Sequence, residues 1–216
     1  EGFGKANNKG LEIAKGKYIL FLNPDTILSE NSIRSPLAFM ESNTQAGALG
    51  IRMIDGSGKY LPESKRGFPS PWVSFCKMIG LTRLFPKSSL FARYYLGHLS
   101  STMNQEVEAL AGAFMLIRKE ILDQLGGFDE RFFMYAEDID LSYRIRALGY
   151  RNYYFADATI IHFKGESTSK DAVYIKNFYK AMNQFVDKHY KKRSPLAAQL
   201  LHWAIGFRAW LAGITQ

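Results

Sequence analysis

The chain has 216 residues, 47% of them apolar, and its 28 Lys and Arg against 20 Asp and Glu give a net charge of +8. This composition provides a sizeable core and argues against a disordered chain, while the positive charge suits nucleotide phosphates, nucleic acid or an anionic membrane face. Cys76 is the only cysteine, which excludes an intrachain disulfide framework and a cysteine-based metal site and fits a reducing cytoplasm.

The first quarter of the chain alternates helical and strand patterns. Residues 4–16 predict a short helix that a glycine ends, and YILFL at 18–22 is an apolar run typical of a parallel strand covered on both faces. A helix with Ser29 as N-cap comes next, although Pro36 argues against an unbroken run, and residues 47–54 predict a strand. This order predicts a βαβ architecture with an open parallel sheet.

Residues 69–103 break this pattern. They mix bulky apolar side chains with Lys77, Arg83, Lys87 and Arg93, and they show no clear periodicity. The segment therefore predicts an insertion or a surface element outside the sheet.

The remaining chain returns to regular patterns. Strands are predicted at 107–117, 151–156 and 158–163, and helices at 118–127, 137–148 and 171–190. The apolar tail at 195–213 contains Gln199, His202 and Arg208, which disfavour a full membrane span. An interfacial membrane helix and a terminal helix packed on the domain or on a partner chain both stay open.

Asp25 is the first candidate functional residue. It follows Asn23 and Pro24 at the carboxyl end of the predicted strand, where ligands bind in open α/β sheets. An aspartate after a strand is also a common turn former, so position alone leaves both roles open.

A second candidate is the acidic cluster of Glu137, Asp138 and Asp140 at the start of a predicted helix. Acids in a first turn favour the helix dipole, but three acids after the apolar FFMY run should raise the pKa of at least one carboxyl and make it a candidate general base. Asp140 is spaced for an ion pair with Arg144, which predicts a structural role for Asp140.

A third candidate is His162, which ends an apolar strand before a KGEST loop that begins at Lys164. A plain polar strand end is the alternative. An imidazole with a carboxylate and phosphate oxygens would hold Mn²⁺ or Mg²⁺. The segment GFGKANNKG is a poor dinucleotide fingerprint, because Asn7 stands where the third glycine would be.

Three blocks of the chain, at 2–26, 112–150 and 160–168, together resemble family-2 glycosyltransferases of the rhamnosyltransferase-like kind. The resemblance covers most of residues 1–168. It implies a GT-A fold, an α/β nucleotide-sugar-binding domain with an open mixed, mostly parallel sheet flanked by helices. We expect this domain at 1–190, and an apolar or amphipathic C-terminal helix, membrane-interfacial or packed, at 191–216.

The resemblance also assigns roles to residues. Asp138 matches the base, with Glu137 as its neighbour on the acceptor, and Asp25 and His162 match the site of a metal, Mn²⁺ or Mg²⁺. Asn23 stands where the family has a first acid. The expected donor-binding residues are Lys5, Asn8, Asn23, Asp25, Gly112, Ala113 and Lys164.

The implied activity is inverting transfer of a sugar such as rhamnose from a UDP- or dTDP-linked donor to a saccharide or polyprenyl-linked acceptor. We expect it to serve cell-surface polysaccharide biosynthesis in the cytoplasm, with peripheral contact at the inner membrane face. Family members open with a strand and an acidic nucleotide-binding segment that this sequence lacks, so we expect weak nucleotide binding by the chain alone.

Two alternatives remain. A nucleotidyltransferase acting on sugar phosphates would share the sheet and the metal acids. A nucleic-acid binder would interleave basic and aromatic residues on one sheet, whereas the aromatic residues here lie mostly in apolar runs, so we expect no nucleic-acid partner.

Overall fold

A sheet flanked by helices forms the centre of the computed structural model, which describes residues 2–163 and 172–214. The helices are α1 Phe3–Ile13, α2 Arg34–Ser42, α3 Pro71–Met78, α4 Leu81–Leu84, α5 Lys119–Leu125, α6 Glu137–Ala147, α7 Ala172–His189 and α8 Pro195–Ile214. The strands are β1 Tyr18–Leu22, β2 Thr26–Leu28, β3 Ala46–Ile54, β4 Gln105–Val107, β5 Phe114–Arg118 and β6 Arg151–His162.

The strand order is β1-β5-β3-β6-β2, and β4 pairs with the other end of β6. The predicted α/β fold with an open mixed sheet is confirmed. Parallel pairing is less frequent than expected within the described residues, where only β3 and β6 run parallel, because β5 lies antiparallel between β1 and β3. An apolar run encodes burial on both faces but not strand direction, so the sequence pattern could not reveal this.

Both faces of the sheet are covered, as the apolar strands predicted. On one face Met115 and Ile117 of β5 pack in a cluster with Ile121 of α5 and Leu141 of α6. On the other face the alternate residues of β5, including Leu116, pack in a cluster that contains residues of α2 and β3. This period-two division of one strand between two cores fixes the register of the sheet.

The helix predicted from Ser29 begins later than expected. Strand β2 occupies residues 26–28, Ser29 exchanges hydrogen bonds with Ser32, and α2 starts at Arg34 with Ile33 as its N-cap. Pro36 therefore lies in the first turn of α2, where a missing backbone N–H is tolerated.

The two strands predicted at 151–156 and 158–163 are one strand, β6. Its register against β3 shifts between Phe155 and Thr159, which marks a bulge. The side chain of Asn104 accepts a hydrogen bond from Ala156 N and donates one to Asp157, so the bulge is held without ending the strand.

Residues 69–103 lie outside the sheet, as predicted, and contain α3 and α4. Ser70 caps α3 by accepting a hydrogen bond from Val73 N, and Pro71 occupies its first position. Helix α8 packs against α7 and α3. In the described part of the chain, no helix combines the length and apolarity that crossing a membrane requires.

Candidate active site

The turn that follows β1 is held between two other strands. Asn23 N donates to Ala113 O at 3.0 Å, just before β5, and Phe163 N donates to Asp25 O at 2.9 Å, just after β6. Thr26 Oγ1 closes the turn by donating to Asn23 O at 2.7 Å. Three strand ends therefore fix the position of Asp25.

Asp25 and His162 lie side by side in this turn. Asp25 Oδ1 is 3.3 Å from His162 Nε2, and each side chain is 12% exposed. His162 Nδ1 is buried without a hydrogen-bond partner among the described residues. The 3.3 Å separation is close to the roughly 3 Å between neighbouring ligand atoms of an octahedral Mg²⁺ or Mn²⁺ shell, so the pair fits a divalent cation.

The protein part of such a shell is small. Among residues 2–163 and 172–214, no cluster of three or more His, Cys, Asp and Glu side chains could hold a metal ion. A cation bound by Asp25 and His162 would need further oxygen ligands from a bound molecule such as a diphosphate.

A strained turn precedes the acidic cluster. Tyr135 and Ala136 have φ values of 71° and 62°, and α6 starts at the next residue, Glu137. Left-handed backbone at non-glycine residues costs about 1–3 kcal/mol each and concentrates at functional sites. The strain here directs the first turn of α6 and its acids.

Asp138 is bound by three donors. Its Oδ2 accepts hydrogen bonds from the Arg66 guanidinium at 2.5 Å and from Gly112 N at 2.9 Å, while Oδ1 accepts one from Ile139 N at 2.8 Å. A carboxylate oxygen has two acceptor sites, so Oδ2 is fully used and Oδ1 keeps one site. The side chain is therefore oriented, and Oδ1 is the atom with capacity to accept a hydroxyl proton.

Glu137 has a different environment. Its carboxyl group is buried, and Oε2 makes no hydrogen bond to any described residue. Burial, together with the negative charge of Asp138, raises the pKa of Glu137 to about 8. This agrees with the expectation that at least one acid of the cluster has a raised pKa.

Asp140 has the structural role that its spacing predicted. It is fully buried and pairs with Arg144 Nε at 2.7 Å, Lys188 Nζ at 2.6 Å and His189 Nε2 at 2.7 Å. These contacts join α6 to α7. The carboxylate of Asp140 therefore holds the fold together through these contacts.

Gly112 and Ala113 connect the acidic pair to the turn that holds Asp25. Gly112 N donates to Asp138, and Ala113 O accepts from Asn23 N. A Cβ atom built on Gly112 would lie 3.5 Å from Asp138 Cβ and 3.6 Å from its Oδ2. The glycine thus keeps the space beside Asp138 open.

The other predicted donor-binding residues are Lys5, Asn8 and Lys164. The side-chain amide of Asn8 donates hydrogen bonds to Phe128 O and Glu130 Oε1 and accepts one from Phe128 N. Asn8 therefore ties α1 to the loop after α5. Lys5 is exposed in the first turn of α1. Lys164 lies outside the described residues.

Sequence reasoning assigned no role to Arg66 or Lys65. Arg66 reaches Asp138 across 72 residues of sequence, and Lys65 is buried, donating to Leu96 O at 2.8 Å and Leu99 O at 2.9 Å. Burial lowers the pKa of Lys65 to about 8. In the sequence these residues are visible only as two adjacent cations before an apolar segment. Such a pattern does not predict which distant residues they contact.

Comparison with known proteins identifies the family. The family model described as "Glycosyltransferase like family 2" matches residues 1–181. The chain belongs to this family. The expected resemblance is confirmed, and the alternative of a nucleotidyltransferase is not favoured.

Two family-2 relatives are named as rhamnosyltransferases. The chain is 34% identical over 172 residues to "Rhamnosyltransferase WbbL" of Escherichia coli K12, covering 75% of this chain and 61% of the relative. It is 32% identical over 154 residues to the "N-acetylglucosaminyl-diphospho-decaprenol L-rhamnosyltransferase" of Mycobacterium tuberculosis, covering 71% and 49%. The chain thus spans about half to three fifths of the length of these relatives.

Solved glycosyltransferase structures share the fold. GalNAc-T7 with UDP, GalNAc and Mn²⁺ superposes with a TM-score of 0.56 at 18% identity, covering 84% of this chain and 34% of that one. The mannosyltransferase PcManGT of Pyrobaculum calidifontis, with GDP-Man and Mn²⁺, gives 0.53 at 16% identity, covering 100% and 55%. The GT-A expectation is therefore confirmed at the level of the fold.

Proposed function

We propose that this chain carries the catalytic centre of an inverting glycosyltransferase that moves rhamnose or a related hexose from a nucleotide-sugar donor to a saccharide acceptor. The names of the two rhamnosyltransferase relatives support the sugar, and the decaprenol-linked substrate in one name supports a polyprenyl-linked acceptor. We place the activity in cell-surface polysaccharide biosynthesis, in the cytoplasm at the inner membrane face. The donor is UDP- or dTDP-linked.

The single observation that carries this proposal is the Gly112–Ala113 junction. It contacts Asp138 on one side and the turn bearing Asp25 on the other. A proton acceptor and a diphosphate-binding acid are thus held by one dipeptide. Inverting sugar transfer needs these two functions on either side of one anomeric carbon.

The reaction follows from this arrangement. Asp138 Oδ1 takes the proton of the acceptor hydroxyl while its oxygen forms a bond to the anomeric carbon of the donor. The bond from that carbon to the diphosphate oxygen breaks, and the nucleoside diphosphate leaves with the electron pair. Arg66 and Gly112 N hold the carboxylate in place through Oδ2 during this step.

Asp25 and His162 would hold a divalent cation, Mn²⁺ or Mg²⁺, beside the donor. A bound cation would neutralise charge on the leaving diphosphate. Asn23 provides the backbone that orients Asp25 but not a second carboxylate, so donor phosphates would complete the set of ligands of a bound cation. Lys5, Asn8 and Lys164 remain predicted donor contacts.

Asp138→Asn tests the base assignment. The variant keeps the size of the side chain but cannot accept the proton, so we expect kcat to fall by about 10²–10⁴-fold with donor affinity retained. Sugar transfer from a panel of UDP- and dTDP-sugars to lipid-linked saccharides, measured with the full-length protein, reads out kcat, and calorimetry reads out donor binding.

Asp123→Asn is the matched control for this test, because Asp123 pairs with Lys119 on the exposed side of α5. We expect normal transfer by this variant. Full activity of Asp138→Asn would exclude Asp138 as the base. Failure of the unmodified protein to transfer any sugar would contradict the function itself.

Asp25→Asn tests the cation site. Because Asp25 would hold the cation together with His162, its loss should weaken Mn²⁺-dependent nucleotide binding by at least about ten-fold and leave binding in EDTA unchanged. Isothermal titration of UDP and dTDP with and without Mn²⁺ measures both. Equal Mn²⁺ dependence in the variant and the unmodified protein would remove Asp25 from this role.

A further inference from the structure

All of the excess positive charge of the chain lies in two segments, 69–103 and 190–216. Together they contain eight of the 28 Lys and Arg residues and none of the 20 Asp and Glu residues. The other residues therefore carry equal numbers of both signs. Such segregation gives one part of the surface a positive field.

These two segments also meet in space, because α8 packs against α3. Helix α8 has two apolar faces. Ala198 and Leu201 face inward and pack with Val186 of α7. A second stripe points outward with side chains that are 48–79% exposed, and it consists of Leu196, Leu200, Trp203, Phe207 and Trp210.

Helix α3 extends this outward stripe. Trp72, Phe75 and Ile79 are each more than 40% exposed. Between α3 and α8 runs an open groove of about 590 Å³, which is lined by Pro71, Trp72, Phe75, Met78, Leu200, Trp203, Ala204 and Phe207. Among the described residues no charged side chain lines it, and an apolar surface of this extent marks an interaction site.

Cations flank this apolar surface. Lys77 and Arg208 line the neighbouring pocket. Lys191, Lys192 and Arg193 are exposed directly before α8. The surface thus combines an apolar centre with flanking cations, one of which, Lys191, pairs with the exposed Asp187 of α7 at 3.7 Å.

We propose that the α3–α8 surface, meaning the outward residues of these two helices and the cations beside them, docks on an anionic lipid bilayer. Aromatic side chains at the level of the headgroups and cations beside them are what such a bilayer binds. A protein partner could cover the apolar stripe, but it would not require two segments free of acids. An anionic bilayer matches both the apolar stripe, through its acyl chains, and the cations, through its lipid phosphates.

Docking here would place the catalytic centre near the bilayer. Arg66, which binds Asp138, precedes Pro71 in the groove by five residues, a span of at most about 17 Å of extended chain. The proposal itself does not depend on sugar transfer, since lipid binding can be measured without a donor or acceptor.

The three tryptophans of the 216 residues, Trp72, Trp203 and Trp210, all lie on the α3–α8 surface, so tryptophan fluorescence of this chain reports on that surface. With the 216-residue chain, we expect vesicles of phosphatidylglycerol and phosphatidylcholine to shift the emission to shorter wavelength and lipids with brominated acyl chains to quench it. Pure phosphatidylcholine vesicles should give a much weaker shift, and high salt should reduce binding. No shift or quenching with the anionic vesicles would overturn the proposal.

Two variants sharpen the test. Trp203→Ser with Phe207→Ser should abolish quenching of the remaining tryptophans, whereas Ile13→Ser, at an equally exposed apolar residue of α1, should not. Replacing Lys191, Lys192 and Arg193 by Gln should weaken vesicle binding about ten-fold or more, and the same change at Lys15, Arg34 and Lys59 should weaken it less than about two-fold.

Other occupants predict different results. If a second copy covers the surface, emission should shift with protein concentration in the absence of lipid, together with the mass of a dimer. If another part of the same protein covers it, the lipid-free monomer should already show the emission of buried indole. Either result would overturn lipid docking.

Discussion

Two adjacent carboxyl groups in the first turn of α6 have opposite environments. Asp138 faces the guanidinium of Arg66 and a backbone N–H, whereas Glu137 is buried with one oxygen lacking a hydrogen bond among the described residues. Environments that separate neighbouring acids in this way allow one to work as a base and the other to stay protonated. Asp138 fits the first role because its free acceptor site is oriented.

The raised pKa of Glu137 predicts how stability depends on pH. The folded pKa of about 8 lies above the ordinary value of 4.5, so the favourable contribution is complete below pH 4.5 and is lost as pH rises through 8. Glu137→Gln cannot ionise, so its stability relative to the unmodified protein should increase across this range. The slope of the difference is at most about 1.4 kcal/mol per pH unit.

Urea unfolding at a series of pH values measures this difference. Glu120→Gln, at an exposed position at the start of α5, is the control for the substitution itself. A pH-independent difference for Glu137→Gln would show that the pKa of this carboxyl is not raised in the folded protein.

At the scale of elements, α7 is attached to α6 through buried charges as well as through a cluster in which Ile139 packs with Ala181 and Phe185. Lys188 bridges Asp140 of α6 and Asp129 of the preceding loop, each at 2.6 Å, and His189 adds a second contact to Asp140. Lys188 lies in the last turn of α7, where its charge also favours the helix dipole. This junction secures the helix that carries the acidic pair.

Asp140→Asn tests this junction. It removes the buried counter-charge of Arg144, leaves Lys188 with Asp129 alone and takes a hydrogen-bond partner from His189, so we expect a loss of about 3–5 kcal/mol in the free energy of unfolding. Asp123→Asn, which breaks an exposed pair on α5, should cost less than about 0.5 kcal/mol. Urea unfolding measures both variants, and similar small losses would mean that the buried network contributes little.

At the scale of the whole molecule, local features were readable from the sequence and long-range ones were not. The apolar run of β1, the glycine after α5 and the acidic first turn of α6 each follow from a few neighbouring residues. The insertion of β5 between β1 and β3 depends on contacts between distant segments. So does the Arg66–Asp138 pair, which spans 72 residues.

The candidate site also contains features that the sequence predicted and features that it did not. Resemblance of three sequence blocks brought Asp25, Gly112, Ala113, Asp138 and His162 forward, and the structure gathers them around neighbouring strand ends. Asn8 matched the same blocks as a donor contact, and in the structure its side-chain amide bonds the backbone of Phe128. A motif match cannot separate these two uses of one residue type.

Helix α8 has its own small apolar cluster and its own excess of cations, which predicts that it can be removed without unfolding the rest of the molecule. Helix α8 contributes to a small cluster with Val186, Ala198 and Leu201, which is separate from the two clusters that cover the sheet. Residues 191–216 hold four cations and no acid, so their removal halves the net charge. The body should therefore fold without α8.

A stop codon after Tyr190 tests this division. We expect cooperative urea unfolding with a loss of about 2–4 kcal/mol, since Leu201 and Ala198 are the deeply buried side chains among those described in α8. Binding to anionic vesicles should be lost, because the outward stripe and Lys191, Lys192 and Arg193 are removed together. Circular dichroism and vesicle sedimentation measure the two effects. If the truncated chain does not fold, the packing of the sheet requires α8, and α8 is then an integral part of the domain.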